Sequence, residues 1–444
     1  MSFRRRIVFT TASTLSVRSR GSLSALWVVD VATSETTRLL DADAMEPSWS
    51  PDGAFIAFWG IPPGREATER DIWVLPAEGG APWQLTEDAF MDWGPVWGPD
   101  GRHLYFSSDR GGSVNLWRLP MTSAGRAAGP PESVTTPSPY VAFPSISRDG
   151  RRLVYSSISR SGRVMRAAFD ADRGALAGDP TPVIGGSTYW FNTDLSPDAA
   201  QLVVARGISE QEDLFLVNVD GTNLRQLTDD GFNDRWPAWA PDGSGVAFYS
   251  NRSGKYEIWF STPSGQLRPL TDAAQHSPLY PIWSPDGTRM LFVDVTGQGE
   301  VVLFDPRRPW ADQTPEVLPA FRSSSPESVP DGVLFQPMAW SADDRLAGTL
   351  GGRLAIYDVR SRSYTVIDGS NGTARTGHWL PDGRLLFVQA LQLRLLEADR
   401  RTVRTLMPAP GMNSVRLSRD GRTLYWVESE TEADIWMVEL DEQR

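Results

Sequence analysis

Short apolar runs alternate with polar turn residues from one end of the chain to the other, and no stretch holds a helical period. The segment Tyr280–Val293, YPIWSPDGTRMLFV, shows the unit. An apolar run ends in Trp283, Ser-Pro-Asp-Gly makes a tight turn, and a second apolar run follows over Arg289–Asp294. Proline presets φ for such a turn, aspartate bonds nearby backbone, and glycine accepts positive φ. A polar hairpin such as Asn251-Arg252-Ser253-Gly254 comes next, then a third run such as Glu257-Ile258-Trp259 or Asp71-Ile72-Trp73. A fourth reads like Trp83-Gln84-Leu85-Thr86. Strand after strand between turn signals predicts an all-β chain.

The turn recurs, with its aspartate at Asp52, Asp100, Asp149, Asp198, Asp242, Asp286, Asp343, Asp382 and Asp420. Successive gaps run from 38 to 57 residues, the size of a four-stranded propeller blade. The phrase is therefore the turn from a blade's inner strand to its second strand, and its tryptophan packs between neighbouring blades. The pattern predicts a β-propeller of about eight to ten repeat units over residues 3–441. A partial unit of three strands precedes the first turn, and Thr423–Glu428 and Asp434–Leu440 read as two further strands after the last. The strand total is not a multiple of four. That leaves two three-stranded blades in one ring, two propellers, or strands supplied from upstream. The Pro/Ser-rich stretch 305–330 spans the longest gap and is the expected excursion loop or seam.

Composition narrows the function classes. The chain has 444 residues, 40% hydrophobic and 22% charged, with a formal net charge of −12. An acidic chain of this kind does not read as a nucleic-acid binder. No run approaches the 18 apolar residues of a membrane-spanning helix, so no membrane insertion is expected. The N-terminal MSFRRRIVFTT has no apolar core of signal-peptide length; as written the chain reads as cytoplasmic, or as periplasmic if it is a trimmed form. There are no cysteines, which removes disulfides, thiolate metal sites and cysteine nucleophiles.

The phrase P-x-W-S-P-D-G, followed by an apolar strand and a terminal Leu-Thr, resembles the PD40 repeat of TolB-type β-propellers, which is shared by the propellers of prolyl-oligopeptidase-like peptidases. Ser24–Leu40, Ser107–Pro120, Phe248–Trp259 and Thr431–Leu440 are also similar to bacterial propeller regions that follow a Ser/Thr protein kinase or a winged-helix DNA-binding domain. The resemblance implies a sensor or interaction module, and it carries no catalytic residue with it.

No G-x-S-x-G nucleophile elbow occurs, and no catalytic residue is assigned. His103, His276 and His378 occupy different repeat registers, so no metal site is assigned, and no cofactor is expected. Four inner-strand carboxylates, Glu46, Asp92, Asp194 and Asp234, are the candidates for the alternative reading, a carbohydrate-active hydrolase or lyase. Residues six and seven before each turn aspartate, with their neighbours, form an aromatic rim: Trp93, Tyr140, Phe143, Trp190, Phe191, Asn192, Asp234, Arg235, Trp236 and Tyr280. Such a rim at the axial mouth suits a protein, peptide or small ligand. The expected function is thus a non-catalytic binding scaffold.

Overall fold

The structure, a computed structural model, describes residues 6–11, 25–61, 71–87, 90, 92–108, 110, 114–135, 141–186, 188–208, 211–272, 276–295, 299–319, 321 and 333–440. The described residues are all-β apart from one 3-10 turn, Trp310–Asp312. Six of the nine tight turns are built alike. In the first, the Ser50 hydroxyl donates to Asp52 Oδ1 at 2.6 Å and that oxygen accepts from Ala54 N at 3.0 Å. Gly53 takes φ 73°. The same serine–aspartate bond closes the turns at Asp149, Asp198, Asp286, Asp343 and Asp420.

The chain divides into two compact units, one of residues 1–159 with 431–444 and the other of residues 160–430. The larger unit holds five consecutive four-stranded sheets. Their inner strands are Tyr189–Leu195, Asp234–Trp239, Pro278–Trp283, Phe335–Trp340 and Ala374–Trp379. A sixth sheet is assembled from both ends of the unit. Its inner strand is Met412–Leu417, and its second is the first part of Thr423–Glu439. Its third is the latter part of Arg152–Asp170, and its fourth is Thr181–Ile184.

Six hydrophobic cores lie between these six sheets, one for every neighbouring pair. Leu214 and Leu216 of the first sheet meet Trp239 and Phe248 of the second. Leu393 and Leu395 of the fifth meet Leu417 and Leu424 of the sixth. Val164, Tyr425 and Val427 of the sixth return to Leu202 and Phe215 of the first. Six sheets with six shared cores make a closed ring, so the unit is a six-bladed propeller in which every blade buries both faces.

The smaller unit holds four sheets and three cores. The sheets are a three-stranded one spanning Arg6–Leu40, four-stranded ones spanning Asp43–Gln84 and Asp92–Ser133, and a last one. The last contains Val141–Ile146, the first part of Arg152–Asp170 and the last part of Thr423–Glu439. Cores join the first to the second, the second to the third and the third to the fourth. Among the described residues this unit is an open arc of blades.

The expected strands Thr423–Glu428 and Asp434–Leu440 are one continuous strand, Thr423–Glu439, whose two parts belong to different units. Arg152–Asp170 likewise runs 19 residues without a hairpin. Each long strand runs through where the other blades turn back, and the strand count resolves with a three-stranded sheet at either end of the smaller unit. Residues 305–319 stay within one blade: Trp310 packs on Phe292 and Phe304, and Glu316–Val317 forms the fourth strand. Residues 322–330 lie outside the described residues.

Six of the nine inner strands end in a tryptophan, and Val141–Ile146, Tyr189–Leu195 and Met412–Leu417 end in Ile or Leu. Trp97, Trp239 and Trp340 are buried, while Trp283 is half-buried and donates its indole N–H to Ala238 O of the preceding blade at 3.1 Å.

Candidate functional site

The residue six positions before the turn aspartate sits at a bulge. Glu46, Gly94, Phe143, Trp236, Tyr280 and Ser414 all have φ between 46° and 62° there, and strand register shifts at each. In five of the six the next residue is proline, which cannot donate to a strand ladder. The bulge lifts that proline out of the ladder and re-aims the preceding side chain. Bulge residues of neighbouring blades then touch. A Cβ added at Gly94 would meet Glu46 Oε2 and Pro144 Cδ, each at 3.4 Å. The Trp236 and Tyr280 rings meet edge to face at 4.7 Å.

In the six-bladed unit this geometry gathers an aromatic and charged cluster on the second and third blades. Trp236 stacks on Tyr249 at 6.4 Å, Tyr249 meets Tyr280 at 5.8 Å, and Tyr256 meets Tyr249 at 5.3 Å. Arg235 pairs with Glu212 and reaches the Tyr256 hydroxyl at 3.4 Å. Tyr249 is buried beneath the cluster, while Arg235, Trp236, Tyr256 and Tyr280 are half-buried. An amphipathic ring set beside a held guanidinium can stack on a flat group and hydrogen-bond to it.

The other rim residues are placed differently. Phe191 stacks on Tyr189 at 5.5 Å and is half-buried. Trp190 is buried against Phe215, and Asn192 is buried with its amide donating to Ser414 Oγ at 3.0 Å across the ring closure. Trp93 and Phe143 belong to the smaller unit, Trp93 in a blade core and Phe143 exposed. Tyr140 lies outside the described residues. Of the ten rim positions, the structure therefore joins Arg235, Trp236 and Tyr280 in one cluster. Glu212 from a third strand, Tyr249 from a second strand and Tyr256 from the loop before a third strand complete it, and the repeat alone does not single them out.

The four inner-strand carboxylates are divided between the two units. Glu46 and Asp92 lie in the smaller unit, Asp194 and Asp234 in the larger. Asp234 is fully buried, and Arg252 Nη2 donates to both its oxygens at 2.8 Å. Arg110 Nη2 donates to one oxygen of the buried Asp92 at 2.6 Å. Burial pushes both carboxyls up, with the arginines opposing it. The signal for these pairs is in the sequence: aspartate and arginine are 18 residues apart in both blades. Glu46 accepts from Trp59 Nε1 at 3.0 Å, and burial raises its pKa despite that bond.

Asp194 joins three blades. One oxygen accepts from Trp239 N at 2.7 Å and the other from Arg416 Nε at 2.5 Å. His378 lies close enough to feel the Arg416 charge. It keeps some accessible surface, but protein surrounds it, and this burial, with Arg416, holds its imidazole down at about 4. His103 falls in the smaller unit, and His276 is bound by Asp294 at 2.5 Å. No group of three or more potential metal ligands occurs among the described residues. No helix of the described residues is long and apolar enough to cross a membrane.

A family model described as the TolB beta propeller domain matches residues 22–177 and 188–381. An uncharacterized protein of Agrobacterium fabrum is 29% identical over 211 residues, covering 45% of this chain and 64% of that protein. An uncharacterized peptidase of Bacillus subtilis, YuxL, is 27% identical over 212 residues, 46% of this chain and 29% of the peptidase. The chain thus spans less than two thirds of each of these relatives. Among solved structures, a putative TolB from Agrobacterium tumefaciens aligns over 91% of this chain and 98% of its own at 15% identity, with a TM-score of 0.25.

Proposed function

The chain belongs to the PD40 family of TolB beta propeller domains, and from that premise we propose that it is a non-catalytic scaffold whose six-bladed unit binds a protein or peptide segment at one mouth of its ring. The observation that carries this reading is the Arg235–Trp236–Tyr256–Tyr280 cluster. Bulged inner strands hold its aromatic rings half-exposed beside a fixed guanidinium, and aromatic and arginine side chains are the usual anchors of protein interfaces. Three of the four candidate carboxylates of the alternative reading are held by other groups. Asp92 and Asp234 sit in buried ion pairs, and Asp194 ties blades together.

The test is a quantitative pull-down with the full chain and a Trp236→Ala/Tyr280→Ala variant as baits, followed by titration of the recovered partner. A partner held by the parent and weakened at least tenfold in the variant supports the reading. Equal affinity for both baits, or turnover of an oligosaccharide or peptide substrate by the parent, overturns it.

A further inference from the structure

Among the described residues the smaller unit has four sheets and three cores, so two sheet faces have no described blade against them. One is on the first sheet. Ile7 pairs with Val29 and Phe9 with Trp27 across neighbouring strands, which puts four apolar side chains on one face. Ile7 is 54% exposed and Phe9 36%. The other is on the last sheet, where Ile435 is 81% exposed and Met437 55%. Val438 and Leu440, on the opposite face of that strand, pack into the core with the third blade.

The repeat shows what belongs on these faces. Ile435 stands in an Asp-Ile-Trp third-strand motif, as Ile72 does, and Ile258 stands in the related Glu-Ile-Trp. Ile72 and Ile258 are fully buried, each against an adjoining blade. The surface at Ile435 is therefore an ordinary blade face, and its fitting occupant is another blade of this kind.

Charge selects which blade. The first 24 residues, bracketing the strand Arg6–Thr11, carry five arginines and no carboxylate. Residues 431–444, the part of that strand in the smaller unit and the residues after it, carry five carboxylates and one arginine. The two bare faces thus sit in segments of opposite sign, and each would repel its own kind and attract the other. We propose that two copies of this chain associate through the smaller unit, the first sheet of each copy packing on the last sheet of the other. The contact is made twice under two-fold symmetry, and it closes two arcs of four sheets into one ring of eight. Eight is within the range of blade numbers that propellers adopt.

The chain has no cysteine, so cross-linking can be placed at will. Light scattering of the full chain at low salt should give twice the chain mass, and Ile435→Asp/Met437→Asp should return it to the single mass. High salt should weaken the dimer, since opposite charges help to hold it. A variant carrying both Ile7→Cys and Met437→Cys should, on oxidation, form a covalent dimer through two disulfides. Each single-cysteine variant should not. A parent chain of single mass at tens of micromolar overturns the proposal. So does a dimer that Ile435→Asp/Met437→Asp leaves intact, which would place the contact elsewhere. So does an oxidised double-cysteine variant of unchanged mass, which would mean that the arc closes within one chain.

Discussion

Arg252 gives one nitrogen to both oxygens of the buried Asp234, while its guanidinium lies 5.0 Å from the ring centre of Trp259 and 5.6 Å from that of Phe248. Arg110 donates to one oxygen of Asp92, with Trp117 at 5.6 Å and Phe106 at 5.3 Å. In each case the aspartate opens an inner strand and the arginine comes from the loop after the second strand. The pair fixes the upper end of its blade, where loops of the mouth begin.

Replacing one partner alone should therefore be costly. Arg252→Met strands a carboxylate with no accessible surface and should lower stability by about 3–5 kcal/mol in urea unfolding. Asp234→Asn combined with Arg252→Met should lose less than Arg252→Met alone, because it removes the stranded charge. Equal losses would mean that the pair acts by packing and not by charge.

Trp283→Ala should cost about 2–4 kcal/mol, toward the lower end of large core truncations because the ring is only half-buried. Part of the loss comes from the bond its indole makes to Ala238 O in the preceding blade. Trp283→Phe keeps most of the apolar contact and should recover more than half of it. A loss below about 1 kcal/mol would show that this junction does not depend on the ring.

His378 gives a pH signature with a definite sign. Burial lowers its folded pKa to about 4, below the ordinary histidine value, so between those two values the unfolded chain binds the extra proton. Its contribution to stability is complete above about pH 6.5 and falls away as pH drops through 4. His378→Gln should flatten the stability profile between about pH 6.5 and 4 without changing its shape above pH 7. An unaltered slope in that window would place the imidazole in solvent-like surroundings.

The turn aspartates act lower on the pH scale. The Ser284 hydroxyl, the Thr288 backbone and the Thr288 hydroxyl hold Asp286 at about 2, and Asp52, Asp198 and Asp242 are lowered by the same kind of bonds. A depressed carboxyl stabilises above its unfolded pKa and loses that contribution as pH falls through the folded value. Acid unfolding of the parent should thus steepen between about pH 4 and 2. Ser284→Ala should lower stability at neutral pH and make the acid limb in that window shallower, because the contribution it removes is one that acid takes from the parent. An identical acid limb in the variant would remove the serine bond as the cause.

The fold was readable because its main device is local and repeated. Ser-Pro-Asp-Gly and its variants carry their own turn geometry, and nine spaced turns sharing the aspartate give blades without any knowledge of contacts. Trp236 and Tyr280 were readable as special positions for a related reason: each stands before the proline that the bulge removes from the ladder. Their partners were not, since Tyr249, Tyr256 and Glu212 reach them only through strand pairing and blade packing. Nor could the pattern show that Arg160 and Thr431 begin segments of different units. The strands Arg152–Asp170 and Thr423–Glu439 carry turn-like residues within them yet run straight through. Long-range pairing decides that, and no local propensity records it.

Closure of the six-bladed ring has a consequence for the order of events during synthesis. Arg163 meets Glu428 in the closing blade across 265 positions of sequence. At a ribosomal pace of about 5–20 residues per second, the third strand of that blade waits tens of seconds for its second strand to be made. Over that interval Val164, Val183 and Leu202 lack Tyr425 and Val427, the residues that cap them in the finished ring. The nascent chain must carry an uncapped apolar edge until Tyr425 and Val427 have emerged.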